Sequence, residues 1–172
     1  MKQVLLILLL SFFYIGITNA DNSYETKNFE EKNIVVLKFK VPDKKFPNKD
    51  YVLAQIHFPK ILNTKFPLII HQHGSARDGI KFEEWGGRTD EWGKRLVDEG
   101  LDRGYAVALI DAFYDRGLNP GDKLKFPHAV NIALKLGKIL SDNKKIDKSK
   151  IFYTGFSYGA GQVLNLQGKR YS

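Results

Sequence analysis

Hydrophobic residues follow two different patterns along the chain, and each pattern predicts a different kind of strand. Residues 51–58 alternate between apolar and polar positions, as in a strand with one buried face, and residues 34–40 form another strand before them. The turn-rich residues 42–49 join these two strands into a hairpin. Other segments are apolar throughout, which is typical of strands buried on both faces in a parallel sheet. These segments are residues 67–70, 105–110 and 151–153.

Apolar residues at helical spacing separate the continuous runs. Asp90 is a candidate N-cap for a first helix, which ends before Gly104, and Pro127 suits the first turn of a second helix. The predicted buried faces consist of Trp92, Leu96, Val97 and Leu101 in the first helix and of Val130, Ala133, Leu134, Gly137 and Leu140 in the second. The predicted order is two antiparallel strands, then β-α-β-α-β and the start of a helix, with helices on both faces of one sheet.

Two polar stretches are not expected to form regular elements. Residues 21–32 are polar and are expected to fray. Residues 146–149 form the predicted connection into the last strand.

Polar segments follow the apolar runs, and we expect them at one edge of the sheet, where the active groups of such sheets gather. They are residues 71–75, 111–114 and 155–159. The last of them, a glycine–x–serine–x–glycine sequence centred on Ser157, joins a strand to a helix as a nucleophile elbow does. A serine at so sharp a turn needs small neighbours, which Gly155 and Gly159 supply. The motif alone is also compatible with an ordinary loop rich in glycine and serine.

The first twenty residues have the pattern of a secretory signal peptide. Lys2 precedes an apolar stretch over residues 4–17, and small residues at 18–20 form a candidate cleavage site. The apolar stretch is shorter than the ~20 residues that a spanning helix prefers, which favours cleavage over an uncleaved anchor. We therefore expect a secreted or periplasmic protein with a mature region of residues 21–172, and no stable membrane insertion after cleavage.

The composition excludes several functional classes. The sequence contains no cysteine, which excludes disulfides, thiolate metal sites and a cysteine nucleophile. The net charge is +8, but the lysines are interleaved with acidic residues in loop-like stretches, and no nucleic-acid-binding motif accompanies them. We expect no nucleic-acid partner, no cofactor and no metal ion.

Four segments, in this order, resemble the α/β-hydrolase superfamily, and within it the serine esterases of the dienelactone-hydrolase-like branch. They are His73-Gly74-Ser75, the strand over residues 104–111, the approach over residues 146–151, and the turn around Ser157. The resemblance implies an α/β-hydrolase fold with a mostly parallel, doubly wound sheet and an N-terminal antiparallel hairpin. Its predicted strands would have the spatial order first, second, fourth, third, fifth. Dienelactone hydrolases proper use a cysteine nucleophile, so dienelactone itself is not the expected substrate.

The resemblance also implies that residues 21–172 are the N-terminal portion of a single α/β-hydrolase domain, lacking the C-terminal strands and helices. In this family the catalytic acid and histidine follow the serine, and the fifteen residues after Ser157 contain neither. We therefore expect both groups beyond Ser172 and predict that residues 21–172 alone are inactive. Residues 151–154 would then form an open, apolar sheet edge that invites pairing between molecules.

The same resemblance assigns the oxyanion hole to the backbone N–H groups of Tyr158 and Ser75. His73 and Gly74 would form the oxyanion loop, in which the histidine ring supports the turn.

Upstream histidines are the alternative source of a general base. His71 and His73 lie near the predicted turn, whereas His57 and His128 are expected to be packed, capping or solvated. The spacing of His71 and His73 also suggests a metal pair, but no cysteine or acidic residue stands at ligand spacing nearby.

Loop residues at the same edge have two interpretations each. Phe82, Trp85, Phe113 and Tyr114 either line a substrate pocket or cover the core, and the last three are our candidates for substrate contact. Asp111 is a tempting catalytic acid, but its place at a strand end favours hydrogen bonds to its own loop. Arg116 either binds a substrate carboxylate or, as is commoner for a lone loop arginine, is solvated.

Together these features predict an exported serine hydrolase that acts on a small-molecule or polymeric carboxylic ester through an acyl-enzyme on Ser157. The alternative is a non-catalytic module with a degenerate hydrolase fold. A peptidase or a polyester depolymerase of the same fold would show the same half of the motif. The sequence leaves the ester, the oligomeric state and the physiological role open.

Overall fold

A computed structural model describes residues 24–61, 65–117 and 126–168 of the chain. The strands are β1 (Tyr24–Phe29), β2 (Ile34–Lys40), β3 (Tyr51–His57), β4 (Phe66–Gln72), β5 (Ala106–Asp111) and β6 (Ile146–Gly155). The helices are α1 (Glu91–Asp102), α2 (Ala129–Ser141) and α3 (Tyr158–Gly168), and a 3-10 turn, Glu30–Lys32, joins β1 to β2. The predicted signal peptide lies outside the described residues.

The described strands form one mixed sheet with the order β1-β2-β3-β5-β4-β6. Apart from the added β1, this is the predicted order. The expectation of a mostly parallel sheet is wrong for these residues, because β4 is parallel to β5 and β6 while the other neighbouring pairs are antiparallel. The physical reason lies in the connections. Short links join β1 to β2 and β2 to β3, and such links allow only antiparallel pairing, whereas α1 and α2 are crossovers that allow parallel pairing.

β1 corrects the expectation that residues 21–32 fray. Tyr24–Phe29 pairs antiparallel with β2 along its whole length. Most of its side chains are exposed, so the strand is held by backbone hydrogen bonds and carries no hydrophobic signal in the sequence.

Helices cover both faces of the sheet, as predicted. α1 packs on one face, and α2 and α3 pack on the other. The larger core, on the α2 side, includes Phe39, Ala54, Ile70, Ile110 and Leu136, and the smaller core, beneath α1, includes Val36, Leu53, Val97, Val107 and Leu109.

Three apolar side chains that were expected to be buried are exposed. Leu134 is 45% exposed because the buried stripe of α2 is centred on Ala133, Leu136 and Leu140, and Leu134 points away from it. Trp92 is 49% exposed in the first turn of α1, and Phe152 in β6 is 50% exposed. β6 is the outermost described strand on its side of the sheet, which leaves Phe152 only partly covered.

β6 is also longer than expected. It includes residues 146–149, which were predicted to be a connection. Of these residues only Ile146 has a partner in β4, Phe66, and the register then shifts before Leu68 pairs with Ile151. The charged start of the strand therefore lies at an irregularity in the ladder.

The start of α3 touches the end of β4 through backbone atoms alone. A Cβ atom placed on Gly159 would lie 2.0 Å from the carbonyl oxygen of Gln72 and 2.8 Å from that of His73. Both contacts are with main-chain atoms, which cannot rotate away, so only glycine fits at position 159.

Strand β3 contains a buried histidine. His57 in β3 is 8% exposed, and its Nε2 atom lies 3.0 Å from the Gln55 amide nitrogen. The Gln55 carbonyl oxygen accepts the Glu83 N–H at 2.7 Å, so the amide nitrogen is the donor to His57. Burial lowers the pKa of His57 to about 4.

The contact at Gly159 predicts opposite effects for two glycines of α3. We expect Gly159→Ala to lower the free energy of unfolding by about 3 kcal/mol, because the added methyl group overlaps a carbonyl. Gly161→Ala is the matched control, since a Cβ there meets no atom within 4 Å. It should raise the free energy of unfolding by about 0.5–1 kcal/mol, through lower chain entropy in the unfolded state. Urea unfolding measures both, and equal effects would contradict the observed contact.

The buried His57 predicts a pH-dependent loss of stability. Its folded pKa lies below the ordinary value of 6.5, so between these two values only the unfolded chain binds the proton. Stability is therefore complete above the unfolded pKa and is lost as the pH falls toward 4. Relative to His57→Gln, the wild-type chain should lose about 2 kcal/mol of unfolding free energy between pH 7.5 and pH 5. Urea unfolding of both chains at both pH values measures this. The prediction is wrong if the difference in unfolding free energy between the wild type and His57→Gln is the same at pH 7.5 and pH 5.

Candidate active site

Ser157 occupies the turn between β6 and α3 in a strained backbone conformation. Its φ is +50°, in the left-handed region, and the residue is exposed. This conformation costs on the order of 1 kcal/mol for a residue with a side chain, and such strain is common at functional positions. Gly155 is as crowded as Gly159, because a Cβ on it would lie 2.4 Å from the Gly159 carbonyl carbon. Both glycines therefore have the steric role that the motif predicts.

The amide that directly follows Ser157 is unpaired within the described residues. The Gly159 N–H donates to the Phe156 carbonyl at 2.8 Å, and the Gly161 N–H donates to the Ser157 carbonyl at 3.2 Å. The Tyr158 N–H has no hydrogen-bond partner in the described part of the chain. Because Tyr158 is the first residue of α3, this amide lies at the positive end of the helix dipole.

The turn after β4, residues 73–75, lies against the serine turn. The Phe156 N–H donates to the Gln72 carbonyl at 3.3 Å, and a Cβ on Gly74 would lie 3.0 Å from the Phe156 ring. Within the described ranges the Ser75 N–H has no partner, whereas the Gly74 N–H donates to Asp90 at 2.6 Å. The two amides predicted to form an oxyanion hole, those of Ser75 and Tyr158, are thus both unpaired and belong to touching segments.

His73 supports its turn from inside the core. Its ring is fully buried, its Nδ1–H donates to the Gly74 carbonyl, and its Nε2 accepts the Ala112 N–H at 3.1 Å. Burial lowers the pKa of His73, so the ring is neutral with its proton on Nδ1. The ring also packs edge-on against Phe113 at a centroid distance of 4.5 Å. With both nitrogens in use, His73 has none left to deprotonate Ser157.

The other histidines do not serve the serine either. The His71 Nε2 is bonded to Asp90 at 2.9 Å, His57 lies in the core beneath α1, and the His128 side chain is exposed. Among the described residues, no side chain hydrogen-bonds to the Ser157 hydroxyl.

Nearby donors engage both carboxylate oxygens of Asp111. Its Oδ1 accepts the Phe113 N–H at 3.0 Å, and its Oδ2 accepts the Arg88 N–H at 2.8 Å and a guanidinium N–H of Arg77. The loop-bonding interpretation of Asp111 therefore fits its contacts. Arg77 was not among the site residues predicted from the sequence. The available signal was a basic residue shortly after the 73–75 turn, which could pair with the acidic residue at the end of β5.

Phe113 and Arg116 differ from their predicted roles. Phe113 has no exposed surface and packs with Phe126 and Tyr158, at ring distances of 5.8 and 5.5 Å. It therefore belongs to the core, which corrects the expectation that it contacts substrate. Arg116 is 3% exposed and donates to the carbonyls of Ala112 and Val41 at 2.8 and 2.9 Å. It is neither solvated nor free to bind a substrate carboxylate.

Trp85 and Tyr114 are half-buried on the α1 side of the sheet, and Phe82 lies in the core there. Trp85 has a φ of +57°, and the Lys38 ammonium lies 5.8 Å from its ring centroid and 4.7 Å from that of Tyr51. No described contact joins either residue to Ser157, so their role in substrate binding stays a prediction.

An exposed aromatic pair next to the serine was missed from the sequence. Phe156, the residue before Ser157, is 43% exposed, and its ring lies 5.2 Å from that of Trp92. The helical pattern had placed Trp92 on the buried face of α1. The sequence did offer a signal for this pair. One aromatic residue lies inside the serine turn, and another lies at the start of the predicted first helix.

The described ranges contain neither a candidate metal cluster nor a candidate membrane-spanning helix. No group of three or more histidine, aspartate or glutamate side chains there could hold a metal ion. None of the helices in residues 24–61, 65–117 and 126–168 is long and apolar enough to cross a membrane.

Comparisons with known proteins give matches at the level of structure only. No family model matches the chain, and no curated protein is similar to it at a significant level. The chain is similar to a glucuronoyl esterase from Solibacter usitatus, with a TM-score of 0.60, 15% identity, and coverage of 90% of this chain and 50% of that one. A glucuronoyl esterase from Teredinibacter turnerae gives a TM-score of 0.54, 11% identity, and coverage of 87% and 42%. A 2,6-dihydroxy-pseudo-oxynicotine hydrolase gives a TM-score of 0.51, 16% identity, and coverage of 75% and 32%.

The chain therefore spans half or less of the length of these three structures. At identities of 11 to 16% the likeness concerns the fold alone. The strand order, the helices on both faces and the turn at Ser157 agree with it, and together they show that the chain has an α/β-hydrolase fold.

Proposed function

We propose that the protein is a serine hydrolase of carboxylic esters, of the dienelactone-hydrolase-like branch, and that Ser157 is its nucleophile. The observation that carries the proposal is the backbone of Ser157, which has a φ of +50° at a turn between a strand and a helix. Such strain needs compensation elsewhere in the fold, and a reactive hydroxyl is a physical reason for keeping it.

The reaction is acyl transfer through a covalent intermediate. The Ser157 hydroxyl gives its proton to a general base while its oxygen attacks the ester carbonyl. Collapse of the tetrahedral intermediate expels the alcohol, which takes up a proton, and water then cleaves the acyl-enzyme to release the acid. The unpaired N–H groups of Tyr158 and Ser75 would bind the oxyanion, and each such donor contributes about 3 kcal/mol of transition-state stabilisation.

The proposal assigns the general base and its acidic partner to a part of the protein outside the described residues. His57, His71 and His73 are each buried with a hydrogen-bond partner of their own. The structures that this chain resembles are about twice as long or longer, which is consistent with further catalytic groups in a longer polypeptide. The activity is therefore proposed for the whole gene product.

The exposed pair of Phe156 and Trp92 supports an ester that carries a ring or another flat group. Phe156 precedes the nucleophile, the Trp92 ring packs against it, and each side chain is nearly half exposed. Two of the similar structures are glucuronoyl esterases by name, and a glucuronoyl ester carries a sugar ring. Trp85 and Tyr114 are proposed as secondary contacts for a larger or polymeric ester.

We also propose that the protein is secreted or periplasmic. The support is the pattern of residues 1–20, in which a charged start and an apolar stretch precede small residues.

If residues 1–20 are a signal peptide, the exported protein should begin at Asp21. Mass spectrometry of the protein recovered from the cell envelope or the medium measures this directly. The change of Ala20 to a bulky residue is the matched test, because signal peptidases require a small residue before the cut. We expect Ala20→Phe to block processing, and an intact Met1 form of the wild-type chain embedded in the membrane would contradict the proposal.

If Ser157 is the nucleophile, Ser157→Ala in the full-length gene product should abolish both ester hydrolysis and labelling by a fluorophosphonate probe. Loss of the covalent route should reduce kcat by more than about a thousandfold, leaving only the contribution of binding and the oxyanion donors. Ser149→Ala is the control, since Ser149 is exposed in the same strand and its side-chain hydrogen bond within the described ranges is to Asp147.

Two outcomes of this test count against the proposal. Equal hydrolysis by the Ser157 variant would remove the serine from the reaction. Failure of the probe to label the full-length wild-type protein would favour a non-catalytic module.

A further inference from the structure

A buried carboxylate joins three parts of the fold next to the serine turn. Asp90, the N-cap of α1, is 2% exposed. Its Oδ1 accepts the Gly93 N–H at 2.8 Å and the His71 Nε2–H at 2.9 Å, and its Oδ2 accepts the Gly74 N–H at 2.6 Å. Asp90 thus ties the start of α1, the end of β4 and the turn of residues 73–75 together.

These hydrogen bonds keep Asp90 ionised. Burial alone would raise the pKa of Asp90, but the hydrogen bonds from His71, Gly74 and Gly93 outweigh it and hold the pKa below its usual range. An ionised carboxylate accepts hydrogen bonds only, which fits three donors around it. It also requires a proton on the Nε2 atom of His71, because only a donor can face the carboxylate at 2.9 Å.

The bond to Gly74 determines which amide of the turn is available. Gly74 lies between Asp90 and the aromatic ring of Phe156, since a Cβ on it would be 3.5 Å from Asp90 Oδ2 and 3.0 Å from the ring. With the Gly74 amide directed to Asp90 and its carbonyl bonded to His73, the peptide planes on both sides of Gly74 are fixed. The next amide, that of Ser75, is left unpaired.

We propose that Asp90 is the positioning residue of the oxyanion turn: through the Gly74 N–H it holds the Ser75 N–H in place for the oxyanion, and His71 orients Asp90 for this purpose. The inference rests on the proposed function, because it gives the turn a part in the reaction of Ser157. Asp90 has no described contact with Ser157, and in this proposal it acts only through Gly74.

A simpler role for Asp90, as the cap of α1 alone, makes a different prediction. Asparagine caps helices as well as aspartate, so Asp90→Asn can keep the bond from the Gly93 N–H. Its amide group would then present an N–H to the Gly74 N–H, two donors facing each other. Asp90→Ser is a second variant that keeps a capping oxygen on a side chain too short to hold the same three donors.

The matched control is Asp43→Asn. Asp43 also accepts two backbone N–H groups, from Lys45 at 3.0 Å and from His128 at 2.8 Å, and these bonds lower its pKa against the effect of burial. It has no described contact with residues 73–75 or with Ser157. The control therefore makes the same aspartate-to-asparagine change in another carboxylate that accepts backbone N–H groups, away from the serine turn.

The first measurement is amide hydrogen exchange by NMR, which needs no catalytic activity. In Asp90→Asn we expect exchange at Gly74 to rise about tenfold or more, as for the loss of one charge-assisted hydrogen bond, while exchange at Gly93 stays near the wild-type rate. Asp43→Asn should leave both amides unchanged. Unchanged exchange at Gly74 in both Asp90 variants, or equal increases at Gly74 and Gly93, would overturn the inference in favour of a cap alone.

The second measurement is hydrolysis of an activated ester by the full-length gene product. Asp90→Asn should lower kcat about tenfold or more with KM nearly unchanged, because the oxyanion forms only in the transition state. A variant with wild-type kcat, while activity still depends on Ser157, would refute the positioning role. Full activity of Ser157→Ala would instead refute the proposed function, so the two failures are distinguishable.

Discussion

The arrangement of the site depends on one backbone contact, that of Gly159 with the carbonyl groups at the end of β4. This contact brings the start of α3 against Gln72 and His73 with no side chain between them. The parallel pairing of β4 and β6 ends at the same place, where Gln72 lies opposite Gly155. Because the pairing is regular from Leu68 and Ile151 up to this point, the serine turn and the 73–75 turn have a fixed relative position. The strained φ of Ser157 follows, since the chain must leave β6 and enter α3 within two residues.

Much of this architecture can be predicted from the sequence, because apolar residues repeat with a regular spacing along buried strands and helices. The buried strands, both long helices and the glycines of the serine turn are all predicted from local pattern and steric need. β1 cannot be found in this way because its mostly exposed side chains show no period, and its main attachment is backbone pairing with β2. Leu134 was misplaced for a related reason. Its spacing from Val130 is helical, but the centre of the stripe is set by the sheet on which α2 packs.

The polar groups of the site could not be placed from the sequence, because their partners are distant along the chain. Arg116 bonds to Val41, Arg77 to Asp111, and Asp90 to both His71 and Gly74. A loop arginine is solvated unless the fold brings carbonyl groups to it, and only the tertiary structure shows that it does. The helix pattern did identify Asp90 as a cap. That its second oxygen faces the neighbouring turn is a property of how α1 packs beside β4.

The charges around the 73–75 turn have a consequence for the product of an esterase reaction. His73 is neutral, with both of its nitrogens engaged, and the guanidinium of Arg77 is paired with the buried carboxylate of Asp111. In the proposed reaction, a carboxylate released at Ser157 would therefore meet hydrogen-bond dipoles at this turn, where the Arg77 guanidinium is already paired with Asp111. Dipoles of fixed direction suit the brief charge of a tetrahedral intermediate, whereas a free positive charge would also retain the anionic acid. If the proposed reaction takes place at Ser157, a turn of this kind would favour departure of the product and limit inhibition by accumulating acid.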